Sequence, residues 1–268
     1  MTTPRRFIEC TWREIKQMSE TGSVIVLPVG QIVGHGPHLP VSTDVRQAEA
    51  ACEAVARALD GRGVNAVVGP SIPYGNSPAQ EAFPGFVTVN HDTLTNLITD
   101  VCVSLARQGF VKQIVIVFSP GCWPSIQTAA GKFARTDEPK LFIFDGLELA
   151  RSLAQDLLEG HLPLEGKVDA HAGELETSLM LAIEPSSVNM ERAVTHYSDL
   201  MAELRKPPFG SMSIRQQMLS INLWDWSQFG ADGVTGDATL ANARKGRILL
   251  DRLGTAVAEH YIKYGIQS

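Results

Sequence analysis

Four short apolar runs, rich in β-branched and aromatic residues, recur along the chain. They are Val24-Ile25-Val26-Leu27-Pro28-Val29, Asn65-Ala66-Val67-Val68, Gln113-Ile114-Val115-Ile116-Val117-Phe118 and Lys140-Leu141-Phe142-Ile143-Phe144. A strand with one wet face alternates polar and apolar residues. A near-continuous apolar run instead predicts a strand covered on both faces, as in a parallel sheet. Helical patterns separate the runs. Residues 44–59 place Val45, Ala48, Cys52, Val55 and Leu59 at helical spacing, and residues 92–107 do the same with Leu94, Leu97, Val101 and Leu105. Thr43 and His91-Asp92 read as helix starts. Strands alternating with helices require right-handed crossovers, so the expected fold is α/β, a three-layer αβα sandwich with a mostly parallel central sheet. Ligands bind such sheets at the carboxyl ends of the strands. The loops after Val29, Val68, Phe118 and Phe144 are therefore the places to look. No linker, repeat or low-complexity stretch divides the 268 residues, and one domain over 1–268 is expected, with residues 206–209 as a surface loop inside it.

Composition narrows the function. The net charge is -6 and no long Lys/Arg run is present, which argues against nucleic acid or an anionic membrane as partner. The N-terminal arginines precede no apolar run, and no stretch is long enough to span a bilayer. Cys10, Cys52, Cys102 and Cys122 show no paired spacing, so free thiols and a cytoplasmic location are expected.

The loop after the first run, residues 30–44, holds His35, His38 and Asp44 among Gly and Pro residues that allow tight turns. Imidazole and carboxylate together can bind a divalent metal. The same residues also suit a plainer reading, with solvated loop histidines and Asp44 capping the following helix. Residues 73–85 are rich in turn formers and say little alone. Residues 169–178, Asp-Ala-His-Ala-Gly-Glu-Leu-Glu-Thr-Ser, lead into an apolar helix. There Glu174 and Ser178 share a helix face and Glu176 points elsewhere. For Glu176 a simple partnership with the helix dipole is the competing reading.

At these residues the sequence resembles the creatininase family. That family's first loop runs P-x-G-S-x-E-Q-H-G-P-H-L-P-x-x-T-D, and this chain reproduces His35-Gly36-Pro37-His38-Leu39-Pro40 and Thr43-Asp44. The family's Y-G-x-S-x-x-H-x-x-F-P-G is recognisable in residues 74–85, and its H-A-G-E-x-E-T-S is complete in residues 171–178. Residues 233–241 resemble its G-V-x-G-D-P-T-x-A. Four motifs in the right order span nearly the whole chain. The resemblance implies an αβα sandwich, often hexameric. It also implies two divalent metals (zinc, manganese or iron) that activate water to open amide C–N bonds.

The departures from that pattern set the expectations. Val33 stands where the family has a metal-binding Glu, and Pro120 where it has a metal-binding His. Both belong to the same ion, so at most one metal is expected, held by His35, Asp44 and Glu174. Cys122 falls at a family Glu ligand, and its thiolate would suit zinc. His171, Glu176 and His38 are the expected acid–base groups. Gln80 replaces a family His and Phe86 a family Thr. With Tyr74, Cys122 and Trp123 they are expected to line the pocket for a small, partly apolar substrate. Three functions follow: a one-metal amidohydrolase, a metal-free enzyme repurposing the same acid–base residues, or a non-catalytic binding or assembly relative. A homo-oligomer is expected in each case, and creatinine is disfavoured as substrate because its two-metal chemistry is broken.

Overall fold

A computed structural model of the chain describes residues 3–133, 139–204, 206, 208 and 225–265. Its elements are α1 (Trp12–Glu20), β1 (Val24–Val29), α2 (Thr43–Asp60), β2 (Ala66–Val68), α3 (His91–Arg107), β3 (Lys112–Val117), α4 (Trp123–Phe133), β4 (Lys140–Asp145), α5 (Gly146–Leu153), α6 (Glu174–Ile183), β5 (Thr195–His196), α7 (Asp199–Leu204), β6 (Gly236–Asp237) and α8 (Ala243–Tyr264).

The four apolar runs become β1 to β4, joined in parallel in the order β2-β1-β3-β4. Alternate residues of a strand point to opposite faces, and here both sets are apolar. Val24, Val26, Ile114 and Ile116 pack against α2, α5, α6 and α8 through Val55, Ala150, Leu179 and Leu253. Ile25, Leu27, Val115 and Val117 pack against α1, α3 and α4 through Ile15, Ile98 and Ile126. Two cores on one sheet make the three layers.

From β1 the chain passes through α2 to β2 on one side, then returns to place β3 on the other side of β1. The reversal leaves a crevice at the carboxyl ends of β1 and β3. Three of the four expected loops serve that end. The fourth does not exist as a loop: β4 continues through Asp145, and α5 begins at the next residue. The Asp145 side chain caps α5 by accepting from the Glu148 N–H at 3.0 Å, so no chain is left over there.

The longest helix, α8, was not singled out from the pattern. It packs on α6 and α2, and its glycines make that possible. A Cβ at Gly246 would strike the Ser178 carbonyl, and one at Gly254 would lie 2.6 Å from the Ala54 carbonyl oxygen. The stretch 206–209 lies largely outside the described residues. All four cysteines are free. Among the described residues no helix is long and apolar enough to cross a membrane.

Candidate active site

The crevice is framed first by the loop leaving β1. Gly30 lets this loop press against the start of α2, where a Cβ would lie 2.6 Å from the Val45 nitrogen. Gly36 turns it with a φ of 68°. His35 is thereby buried beside the first turn of α2, its Nε2 at 2.9 Å from Asp44 Oδ1 and 3.9 Å from Glu176 Oε1. Its Nδ1 lies 3.0 Å from the Val33 carbonyl oxygen. A ring nitrogen facing a carbonyl must carry the proton, so a neutral His35 presents the lone pair of Nε2. That atom makes no well-formed hydrogen bond, and Asp44 is the carboxylate nearest to it. Asp44, left open above between ligand and cap, thus faces the crevice.

The second frame is the segment before α6. Ala170 and His171 donate their N–H groups to the Thr235 carbonyl at 2.8 and 3.1 Å, and Thr235 N–H returns a bond to the His171 carbonyl at 2.8 Å. The motif at residues 233–241 therefore braces this segment. Ala172 is the non-glycine residue with positive φ, 50°, among the described residues. Such a conformation costs about 1–3 kcal/mol and persists where the surroundings enforce it. Here it aims the Ala172 N–H at Glu176 Oε2, 2.5 Å away. His171 points Nε2 at the Gly34 carbonyl, 3.0 Å, and leaves Nδ1 at 3.9 Å from Glu176 Oε2. The two imidazole rings lie 4.4 Å apart.

Both histidines have one nitrogen tied to a backbone carbonyl and the other turned toward one carboxylate. That is the arrangement by which proteins fix the tautomer of a metal-binding imidazole. Ligand atoms of His35, His171 and Glu176 all lie within 4.8 Å of one another, the group of this kind among the described residues. The donor set, two imidazoles and a carboxylate, fits zinc, manganese or iron.

Glu174 is the principal correction. It was expected to hold the metal, but its fully buried carboxylate turns away from His35. It accepts from the Gly160 N–H at 2.6 Å, the Glu159 N–H at 3.2 Å and the Lys245 ammonium. Two positions along a helix rotate a side chain by about 200°, so Glu174 and Glu176 do lie on opposite faces. Because α6 is buried all round at its start, periodicity cannot tell which face meets the site. The presence of Lys245 on α8 decides it.

The electrostatics follow from burial. Burial opposes charge on His35, but Asp44 and Glu176 outweigh it and raise its pKa to about 9. Burial pushes Asp44 up. Glu176 is held below its ordinary value: burial works against this, but His35, His171 and the Ala172 N–H prevail. Burial, then the charge of His35, lowers both His171 and His38 to about 4. His38 Nε2 sits 2.9 Å from the Thr177 hydroxyl, and its Nδ1 has no partner.

The expected pocket residues divide. Gln80 is buried with an unpartnered Oε1. Tyr74 is exposed and Phe86 half-buried. Trp123 is half-buried and packs against the α1–α3–α4 core. Cys122 is fully buried, its thiol reaching the Gly30 and Tyr74 carbonyls at 3.6 Å each. Burial, reinforced by the charge of Asp44, drives its pKa far up. It is therefore a neutral thiol, outside the ligand group. Reasoning from sequence missed Trp226, whose ring meets His171 edge-on at 4.9 Å and whose Nε1 donates to the Gly233 carbonyl at 3.2 Å. It also missed Gln31 and Ser119, both buried at the crevice. Their only signal was position, on the loops that follow β1 and β3.

Known proteins place the chain in context. A family model described as creatinine amidohydrolase matches residues 8–261. The creatinine amidohydrolase of Pseudomonas putida is 28% identical over 267 residues, covering 94% of each chain. The mycofactocin precursor peptide peptidase of Mycolicibacterium smegmatis is 28% identical over 246 residues, 91% of this chain and 86% of the relative. A solved structure described as manganese creatininase superposes with a TM-score of 0.75 at 26% identity, covering 97% of this chain and 98% of the other.

Proposed function

The chain belongs to the creatininase family, and from that premise we propose that it is an amide-bond hydrolase of small molecules working with a single divalent ion. What supports this reading is one observation: His35 and His171, each fixed by a backbone carbonyl, turn their free nitrogens toward the shared carboxylate of Glu176. His35, His171 and Glu176 would hold the ion, with Asp44 at its flank. A bound divalent ion supplies a polarised carbonyl and a water of lowered pKa. The relatives' names, an amidohydrolase and a peptidase, favour an amide C–N bond as the target.

The chain's own residues supply the rest. Neutral His38, with Nε2 on Thr177 and Nδ1 unpaired, accepts or returns the proton. Buried Gln80 offers Oε1 to an amide N–H of the substrate. Trp226 shields the edge of His171 from water. Val33 and Pro120 cannot ligate a second ion, so creatinine itself is not the expected substrate. We read the protein as a cytoplasmic homo-oligomer, a hexamer by family resemblance. Trp12 and Ile8, 71% and 66% exposed, are apolar surface that a neighbouring subunit would cover.

The test is a metal count by plasma mass spectrometry together with an assay on a panel of cyclic and linear amides. About one ion per chain is expected, lost in His171→Ala, with hydrolysis abolished by chelation and restored by zinc or manganese. Two ions per chain, or hydrolysis indifferent to chelator, would overturn the proposal. The second outcome would favour a metal-free acid–base enzyme. The observation behind that alternative is the 2.9 Å approach of His35 to Asp44, which can exist as an ion pair unaided.

A further inference from the structure

The two carboxylates beside His35 come from different helices. Asp44 sits in the first turn of α2 and Glu176 in the first turn of α6. His35 Nε2 lies 2.9 Å from the first and 3.9 Å from the second. Glu176 is tied to its own helix, because its Oε2 accepts from the Ala172 N–H. The gap between the carboxylates is therefore set by how α6 lies against α2.

Ala48 and Ala51 of α2 and Leu175 and Leu179 of α6 belong to one apolar core. Such packing is non-directional and fixes the sliding of one helix along another only coarsely. One polar side chain interrupts it. Past Asp44, every buried residue of α2 except Gln47 is alanine, cysteine, valine or leucine. Gln47 stands about one turn beyond Asp44 on the same helix face and is wholly buried. Its Nε2 donates to the Glu176 backbone carbonyl at 3.1 Å, the one side-chain hydrogen bond between α2 and α6 among the described residues. The Arg46–Glu184 ion pair lies past the other end of α6 and is partly exposed, where such pairs hold position loosely.

The amide is not needed to satisfy that carbonyl. Inside a helix a carbonyl already accepts from the N–H four residues on, so Gln47 donates to its second lone pair. Exchanging the amide nitrogen and oxygen would set oxygen against oxygen, which fixes the orientation. Gln47 Oε1 is then buried without a partner. Burying an unpaired polar atom is unfavourable, and an apolar side chain of the same length would fill the space as well. What Gln47 adds over such a side chain is one directional contact, made to the backbone of Glu176 itself.

We infer that Gln47 is a positioning residue for the two carboxylates. By locking α2 to α6 beside the crevice, it holds Asp44 and Glu176 at the separation at which both meet His35. A ligand set must be held to within about 0.5 Å, which is finer than alanine-lined packing provides unaided. The consequence for ion affinity rests on the one-ion reading above, whereas the fixed spacing of Asp44 and Glu176 does not.

Gln47→Met keeps the length of the side chain and removes the donor. Crystal structures of the metal-free wild type and variant should show the Asp44–Glu176 separation changed by about 0.5 Å or more. Zinc affinity by chelator competition should fall about 10-fold or more, as loss of an outer partner commonly causes. The thermal midpoint of the metal-free variant should match or exceed that of wild type, since the unpaired oxygen is gone. Carboxylates that stay in place overturn the inference, and so does unchanged zinc affinity when the wild type binds one ion. A midpoint that drops together with the affinity, or a variant that does not fold, overturns it as well, because the amide would then support the fold as a whole. If the wild type binds no ion, the proposed function fails, and the two metal-free structures with the midpoint still decide whether Gln47 sets the spacing.

Discussion

A buried carboxylate must find a cation or several N–H donors, and the two glutamates of α6 do so in different ways. Glu174 pairs with Lys245, which also reaches Glu159 at 2.7 Å and the Leu240 carbonyl at 3.0 Å. Glu176 has the Ala172 N–H and two imidazoles close to it, with no ammonium paired to it among the described residues. The first is a clamp between helices and the second is a ligand in waiting, so their amide variants should fail in opposite ways. Glu174→Gln leaves Lys245 with the largely exposed Glu159 as its remaining charged partner. It should destabilise the fold on the order of 3 kcal/mol, as breaking a buried ion pair does, with zinc affinity nearly unchanged. Glu176→Gln keeps an oxygen for Ala172 and should leave the metal-free unfolding midpoint within a few degrees while zinc affinity falls at least about 100-fold. Chemical denaturation beside chelator competition reads both numbers. An Glu174→Gln protein of full stability that no longer binds zinc would reverse the assignment. These two residues also mark the limit of sequence reading at this scale. His35 could be singled out from its place on the loop after β1, and Asp44 from its place at the helix start that follows, whereas His171, which precedes α6, stood out through the family resemblance. The choice between Glu174 and Glu176 was not, because it depends on a lysine 71 residues away that no local pattern announces.

At the scale of elements the strands were the legible part. β1, β2 and β3 carry apolar residues on both faces and are buried accordingly, whereas β4, equally apolar, ends the sheet and stays half-buried. Helix α8 is the opposite case. It holds two glycines and several charges, a pattern that propensity alone scores as weak, and it forms because its flat stripe lets the backbone of α6 and α2 come close. This gives paired predictions. Gly246→Ala places a methyl against the Ser178 carbonyl, a backbone atom that cannot rotate aside. Overpacking of this kind costs about 1–3 kcal/mol or more, and because Ser178 belongs to α6, zinc affinity should weaken as well. Gly131→Ala in α4 meets nothing within 4 Å. It should stabilise by about 0.5–1 kcal/mol, from lower chain entropy in the unfolded state and better helix propensity. Equal effects of the two substitutions on the thermal midpoint would show that α8 does not approach α6 as closely as described.

For the molecule as a whole, the buried ionisable groups at the crevice predict how stability depends on pH in the metal-free state. His38 and His171 titrate near 4 in the fold against 6.5 when free, because burial disfavours their charged forms. A depressed histidine contributes stability that is complete above 6.5 and lost as pH falls toward 4. His35 does the reverse. Raised to about 9 by its two carboxylates against the opposing pull of burial, it stabilises fully below 6.5 and less as pH rises through 9. Asp169, pushed by burial to about 7 from 3.8, also stabilises most at low pH, and its contribution fades as pH rises through 7. Between 6.5 and 4 the two histidines work against Asp169 and against Asp44, whose carboxyls burial also pushes up. Above about 7, of these groups, His35 is the one still losing its contribution. The thermal midpoint of chelator-treated protein should therefore fall as pH rises from 7 through 9. His38→Gln should gain stability relative to wild type as pH falls from 6.5 toward 4 and leave the alkaline limb unchanged. Zinc must displace the proton of His35 to bind, and proton release ties affinity to pH, so the rise in midpoint on adding zinc should be large at pH 8 and shrink toward pH 5. Differential scanning fluorimetry across that range measures all three. A His38→Gln protein whose midpoint follows that of wild type from pH 6.5 to 4 would mean that His38 is not held neutral in the fold.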